Sequence, residues 1–159
     1  DAKEKLDQTG LVETVLEQTA DGKPLLGICL GMQLLFDESH EYGVHKGLGL
    51  IKGKIASIDE DLKKNGITGL KVPHIGWNSL KYPNPGRLFT GIPQDSYVYF
   101  VHSYYLQAQD PAIVTATTEY ATLIHASVEQ DNVFACQFHP EKSSEVGMQI
   151  LRNFLNVQK

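Results

Sequence analysis

The fold is decided by residues 24–33, which read Pro-Leu-Leu-Gly-Ile-Cys-Leu-Gly-Met-Gln. A short apolar run leads into Cys29 and an apolar stretch with helical spacing follows it, so the segment predicts a strand that turns sharply into a helix. Gly27 and Gly31 lie two positions before and after the cysteine, where a sharp turn leaves no room for side chains. We therefore expect Cys29 to project alone at the edge of the sheet.

A cysteine on such a turn is a candidate nucleophile. The N–H groups at the start of the following helix would point at the sulfur, and we predict that they lower its pKa from about 8.5 toward neutrality. A single cysteine after an apolar run is more often a buried core residue. The nucleophile interpretation therefore depends on a second group that can act as the base.

The base is predicted within residues 137–143, which read Gln-Phe-His-Pro-Glu-Lys-Ser. In an extended chain His139 and Glu141 face the same side, so the carboxylate can hold one ring nitrogen while the other takes the thiol proton. His-Pro-Glu alone is usually a surface turn, and its conjunction with the cysteine segment is what favours catalysis. The predicted catalytic residues are Cys29, His139 and Glu141.

Composition indicates one globular domain and excludes some classes of partner. The chain has 159 residues, 42% hydrophobic and 21% charged, with a net charge of −5. That acidic balance argues against nucleic acid or an anionic membrane as partner. Two cysteines suit a reducing compartment, and no apolar run approaches the roughly 20 residues of a membrane span. We therefore expect a cytoplasmic protein.

Hydrophobic periodicity predicts a three-layer α/β fold. Strands are predicted at 24–28, 48–58, 96–105, 112–118, 123–129 and 133–138. Helices are predicted at 2–19, 32–37 and 144–157, whereas the charged residues 59–64 are predicted to form an exposed turn. We expect a mixed, mainly parallel sheet with helices on both faces and the active site at the carboxyl ends of its strands.

The two motifs together resemble those of class I, triad-type glutamine amidotransferases. Residues 27–33 and 137–143 carry the resemblance, which runs from about Gly22 to the C-terminus. It implies that Cys29 attacks the side-chain amide of glutamine and forms a γ-glutamyl thioester, with His139 acting first as acid and then as base. It implies neither a metal nor an organic cofactor.

Two further segments resemble one branch of that family, which serves histidine biosynthesis. They are residues 72–78, Val-Pro-His-Ile-Gly-Trp-Asn, and residues 99–104, Tyr-Phe-Val-His-Ser-Tyr. In that branch the ammonia passes to a cyclase subunit with a (β/α)8 barrel, so the resemblance implies a heterodimer. The alternatives are another branch, such as the glutaminase component of anthranilate synthase, and a truncated, non-catalytic scaffold that only binds a synthase partner.

Five residues are predicted to contact glutamine, partly from spacing and partly from the resemblance. Gln33 lies one helical turn after the cysteine and could reach the substrate amide, although an ordinary helix position is the alternative. Glu41, or Glu38 instead, could bind the ammonium group, while a solvated surface position is the alternative for at least one of them. The predicted contacts are Leu30 through its backbone N–H, Gln33, Glu41, and the backbone ledge formed by Ser103 and Tyr104.

The resemblance also implies a partner surface at Trp77, Tyr99 and Lys142, since this region faces the synthase in the family. For Trp77 a core position is the alternative. Cys136 lies in an apolar strand and is predicted to have a packing role. His102, beside the ledge, is the one further histidine that merits attention.

The N-terminal strands of the domain are expected to be absent from this sequence. In the resembling family the domain opens with a strand that carries an Asn-rich turn, and a Pro-Gly-rich loop then supplies an oxyanion-hole N–H. The first residues of this chain match the segment that comes after that loop in the family. We therefore expect residues 1–159 to form a single glutamine amidotransferase domain that lacks its N-terminal strands.

Overall fold

The computed structural model describes residues 2–39 and 45–157. Its helices are α1 (Ala2–Thr9), α2 (Leu11–Ala20), α3 (Leu30–Leu34), α4 (Ile58–Lys64) and α5 (Ser144–Leu155). Its strands are β1 (Leu25–Ile28), β2 (Phe36–Ser39), β3 (His45–Lys46), β4 (Ile51–Ser57), β5 (His74–Ser79), β6 (Tyr97–His102), β7 (Tyr104–Ala108), β8 (Val114–Tyr120), β9 (Thr122–Gln130) and β10 (Val133–Cys136). Within these described ranges, no helix has both the length and the hydropathy needed to cross a membrane.

The strands form three sheets, ordered β1-β10-β9-β8, β3-β2-β4-β7 and β5-β6. Strand β1 runs parallel to β10 and β2 runs parallel to β4. The other pairings among the described strands are antiparallel. The predicted α/β class with mixed sheets is confirmed, but fewer pairs are parallel than expected, because two-residue connections such as that between β9 and β10 join antiparallel neighbours.

The β1-β10-β9-β8 sheet is buried on both faces around β10, whose four residues are all buried. Phe134 belongs to the core that contains Ile150 of α5, and the partly buried Phe154 of α5 packs against that core. Ala135 belongs to the core that contains Met32 of α3 and apolar residues of β2, β4 and β7. A strand covered on both sides reads as a continuous apolar run, which is the pattern of residues 133–136.

The parallel pair β1 and β10 brings the two motifs to the same edge of the sheet. Ile28 pairs with Cys136, so each strand ends at the same level. The Cys29 N–H then donates to the Cys136 carbonyl oxygen at 2.7 Å, which fixes the turn against the end of β10. Both motifs therefore leave the sheet at the carboxyl ends of these strands, which is where the active site is predicted.

Some of the predicted helix boundaries are wrong. The helix predicted at 2–19 is divided at Gly10, which has a left-handed backbone with φ of 76°. The helix after the turn ends at Leu34, and β2 begins where 32–37 was predicted to stay helical.

The exposed turn predicted at 59–64 is also wrong, since α4 covers these residues. Ser57 caps this helix by accepting a hydrogen bond from the Glu60 N–H at 3.2 Å. Acidic residues occupy its first turn and lysines its last, an order that complements the helix dipole. The predicted closing helix is confirmed as α5.

Candidate active site

Cys29 has the strained backbone expected of a nucleophile on a sharp turn, with φ of 53° and ψ of −106°. Gly27 is needed beside it, because a Cβ there would lie 2.9 Å from the backbone carbon and oxygen of Gly31 and from Leu35 Cδ1. The crowding predicted at Gly31 is wrong, since a Cβ there would meet nothing within 4 Å. The turn therefore has no room for a side chain at Gly27, before the cysteine, but has room for one at Gly31, after it.

The Cys29 sulfur has two polar neighbours at the same distance. Gln137 Nε2 donates toward Sγ at 3.7 Å, and the Val101 carbonyl oxygen accepts from the thiol at 3.7 Å. The pKa of Cys29 is raised, because burial disfavours the thiolate more than the Leu30 N–H favours it. The lowering predicted from the start of α3 is thus wrong for the resting chain.

His139 and Glu141 form the predicted pair, with Nδ1 and Oε1 2.5 Å apart. A 3-10 turn at Pro140–Lys142, and not an extended chain, brings the carboxylate back to the ring. The loop is tied to β6, since the His139 N–H donates to the Tyr99 carbonyl at 2.9 Å and the Tyr99 N–H donates to Ser143 Oγ at 2.9 Å. With Nδ1 engaged by the carboxylate, Nε2 is the nitrogen that can take a proton.

The sheet places the predicted catalytic residues at one edge. Cys29 follows β1 directly, and His139 begins the loop that leaves β10, the parallel neighbour of β1. The charges of Glu141 and Lys142 both act on the Cys29 thiol, the first raising and the second lowering its pKa. Both charges lie in the turn that follows His139, whereas the hydrogen-bond contacts of the sulfur within the described residues are with Val101 and Gln137. A direct contact between the thiol and His139 stays a prediction.

A cavity of about 320 Å³ opens beside the nucleophile. Its lining includes the predicted glutamine contacts Leu30, Gln33, Ser103 and Tyr104, together with Cys29, Pro73, Val101 and His102. Gln33 Nε2 donates to the Tyr104 carbonyl at 3.4 Å, which joins α3 to the ledge. Glu41 lies outside the described residues, and Glu38 lines a separate cavity between β2, β4 and β7.

Two buried histidines support the ledge from behind. His102 Nδ1 lies 2.8 Å from the Tyr104 carbonyl oxygen, so this nitrogen carries the proton and donates it. His102 Nε2 must then accept from His74 Nδ1, 3.0 Å away. Burial lowers the pKa of both rings to about 4, so both are neutral near pH 7. Hydrogen bonds therefore run from His74 to His102 and from His102 to the carbonyl oxygen of Tyr104, which lines the cavity.

With the geometry established, comparison with known proteins gives the family. Residues 4–157 match the family described as glutamine amidotransferase class-I. The chain belongs to the class I glutamine amidotransferases.

The relatives and solved structures of this amidotransferase agree with that assignment. The imidazole glycerol phosphate synthase subunit HisH of Syntrophotalea carbinolica is 47% identical over 97% of this chain and 74% of its own length. The same subunit from Moorella thermoacetica is 47% identical over 97% of this chain and 70% of its own. A solved structure of a glutamine amidotransferase shares the fold, with a TM-score of 0.68 and 20% identity over 96% of this chain and 70% of that chain.

Two of the three predicted partner-surface residues of the amidotransferase, Trp77 and Tyr99, lie on the β5-β6 sheet. Trp77 is 51% exposed, so the alternative of a core position is wrong. It pairs in register with Tyr99, and the two rings meet edge to face with centroids 6.0 Å apart. Lys142 is exposed in the turn that follows His139, and Ile75 adds an exposed apolar side chain on β5. Whether a partner covers these residues stays a prediction.

Sequence reasoning missed two residues of this site. His74 acts through its register with His102 across β5 and β6, and no local pattern reveals a pairing between residues 28 positions apart. Gln137 stands inside the second motif, but only the structure shows its side chain at the sulfur. Its position immediately before the His-Pro-Glu turn was the available signal.

Proposed function

We propose that this chain is the glutamine-hydrolysing subunit of an imidazole glycerol phosphate synthase and supplies ammonia for histidine biosynthesis. The observation that carries the proposal is the strained Cys29 beside a cavity, at the same sheet edge as the His139–Glu141 pair. Two relatives at 47% identity bear the name of that synthase subunit and support this branch of the family over its siblings.

The chemistry begins when the side-chain amide of glutamine enters the cavity. Cys29 passes its proton to His139 Nε2 and the sulfur attacks the amide carbon, while the Leu30 N–H faces the oxygen that becomes negative. The imidazolium returns the proton to the departing nitrogen, ammonia leaves, and a γ-glutamyl thioester stays on the enzyme. Water, deprotonated by His139, then releases glutamate and restores the thiol.

Glu141 has a fixed task in this sequence of steps. Its contact with Nδ1 keeps the proton of the neutral ring on that nitrogen and stabilises the imidazolium when the thiolate forms. Burial raises the pKa of the Cys29 thiol, so the resting sulfur is held as S–H toward the Val101 carbonyl. Deprotonation therefore belongs to the substrate-bound enzyme, where His139 takes the proton.

The partner in this proposal is a cyclase subunit with a (β/α)8 barrel, bound as a heterodimer at Trp77, Tyr99 and Lys142. Strand β6 connects this surface to the chemistry, because it carries both Tyr99, which is half-buried against Trp77, and Val101, which contacts the sulfur. A partner that packs on β6 would act on the strand that holds the thiol, so we expect glutamine turnover to rise on complex formation. A cytoplasmic location is part of the proposal and fits the two free cysteines.

The test is glutamate release by the complex, with variants at the two cysteines. Cys29→Ala should lower turnover by at least about a thousandfold, since the covalent route is lost. Cys136→Ala is the matched control, because this thiol is fully buried and its pKa is raised to about 12; it should keep most of the activity. Turnover that survives in Cys29→Ala would contradict the proposal.

A further inference from the structure

The Gln137 side chain is fully buried but poorly satisfied. Its relative exposure is 0%, and within the described part of the chain its Oε1 has no hydrogen-bond partner. Its Nε2 lies 3.7 Å from the Cys29 sulfur. The amide therefore has one polar contact on its nitrogen, with the nucleophile, and none on its oxygen.

Such an arrangement costs stability. A buried amide oxygen without a donor loses its hydration and gains nothing in return, whereas a methionine of similar length would fill the same space without that loss. A side chain that lowers stability and has its polar contact on the reacting atom is better explained by function than by packing.

Backbone hydrogen bonds hold Gln137 and Cys29 close together. The Gln137 N–H donates to the Ala126 carbonyl of β9 at 2.8 Å, and the preceding carbonyl, of Cys136, accepts from the Cys29 N–H at 2.7 Å. The backbones of Cys29 and Gln137 are thus both held at the end of β10, so the sheet sets the positions from which the two side chains meet.

We propose that Gln137 is a positioning residue for the nucleophile: its amide N–H donates to the Cys29 sulfur, favours the thiolate and holds it beside the cavity. The proposal rests on the proposed function, which makes Cys29 the nucleophile. Val101 has the opposite preference, because its carbonyl accepts from S–H and repels a thiolate. Among the contacts of Cys29, Gln137 is also one of the groups that lower its pKa against the effect of burial.

The test compares stability with the reactivity of the sulfur. Gln137→Met removes the donor and the unpaired oxygen at similar volume. Iodoacetamide labels Cys29 over a range of pH in the absence of glutamine and partner, and mass spectrometry of the Cys29 peptide follows the rate. We expect the rate near pH 7 to fall roughly 3- to 10-fold and the profile to move to higher pH, as for one lost hydrogen bond to a thiolate. Thermal stability should be equal or higher.

Two further variants separate this role from a packing role. Ser127→Ala removes another fully buried polar group of the same sheet, whose Oγ donates to the Ala135 carbonyl at 2.7 Å; it should lose stability and keep the labelling profile. Gln137→Glu replaces the donor by oxygens that face the sulfur and should slow labelling at least as much as Gln137→Met.

Opposite results would overturn the proposal. A folded Gln137→Met protein whose labelling profile is unchanged, or moves to lower pH, would show that the amide does not favour the thiolate. A loss of stability like that of Ser127→Ala, with the profile unchanged, would assign Gln137 to packing alone. Because labelling needs neither glutamine nor ammonia transfer, the expected shift in a protein without glutaminase activity would support this role and contradict only the proposed function.

Discussion

Acid should destabilise this amidotransferase through its buried histidine pair. The His74 ring stacks on the rings of Phe100 and Tyr120, and its Nδ1–H donates a hydrogen bond to His102 Nε2. Burial lowers the pKa of both rings to about 4; charge on His102 adds to the lowering at His74, and charge on His139 adds to the lowering at His102. In the unfolded chain the histidine pKa is near 6.5, so between about pH 6.5 and pH 4 the unfolded chain binds protons at these two residues and the folded chain does not.

The sign and size follow from this difference. The contribution to stability is complete above about pH 6.5 and is lost as the pH falls toward 4, because the folded pKa is the lower one. Between about pH 7 and pH 5, one such histidine lowers the free energy of unfolding by about 2 kcal/mol, and two independent ones would lower it by about 4 kcal/mol. A domain of ordinary stability would lose a large fraction of its margin.

Urea unfolding at several pH values, followed by circular dichroism, measures this loss. His74→Phe keeps the stacked ring without a titrating group and should reduce the slope of stability against pH to about half of the wild-type slope. It should also cost about 1–3 kcal/mol near pH 7, since His102 Nε2 loses its donor. An unchanged free energy of unfolding between pH 7 and pH 5, or an equal slope in both proteins, would refute the reasoning.

Three other substitutions test the turn, the base and the partner surface. Gly27→Ala should lower the free energy of unfolding by about 1–3 kcal/mol, because its Cβ would crowd the following helix. Gly31→Ala is the control, since a Cβ there meets open space. Equal losses of stability in urea titrations would argue against close packing at Gly27. Glu141→Gln should reduce glutamate release by about 10²–10⁴ because the imidazole loses its charged partner, and full turnover would remove the carboxylate from the mechanism. Trp77→Ala should weaken binding of the proposed cyclase partner at least about tenfold by calorimetry. The control is Leu155→Ala, at a residue 79% exposed at the end of α5, which should leave the affinity unchanged. A normal affinity in the tryptophan variant would place the interface elsewhere.

Local patterns predicted the parts of the site that are built from neighbouring residues. The apolar run, Gly27 and Cys29 specify the turn because a strand, a close approach and a strained backbone all occur within a few residues. The contact between His139 and Glu141 was likewise predicted from their spacing, although a 3-10 turn and not an extended chain produces it.

Features that depend on pairing between distant strands were not predicted. Strand β5 was missed, and with it the register that joins His74 to His102. The raised pKa of Cys29 was missed because desolvation depends on the packing around the sulfur, which no spacing encodes. The charges of residues 59–64 favour an exposed turn, whereas the Ser57 cap is the local signal that a helix, α4, begins there.

The central claim is that Cys29 makes ammonia for a partner and has no other indispensable role. It is tested most directly by giving the Cys29→Ala complex either glutamine or an ammonium salt and measuring the synthase product. We predict that synthesis from glutamine is abolished while synthesis from ammonium continues at nearly the wild-type rate. Equal loss of both activities, or the survival of synthesis from glutamine, would contradict the claim.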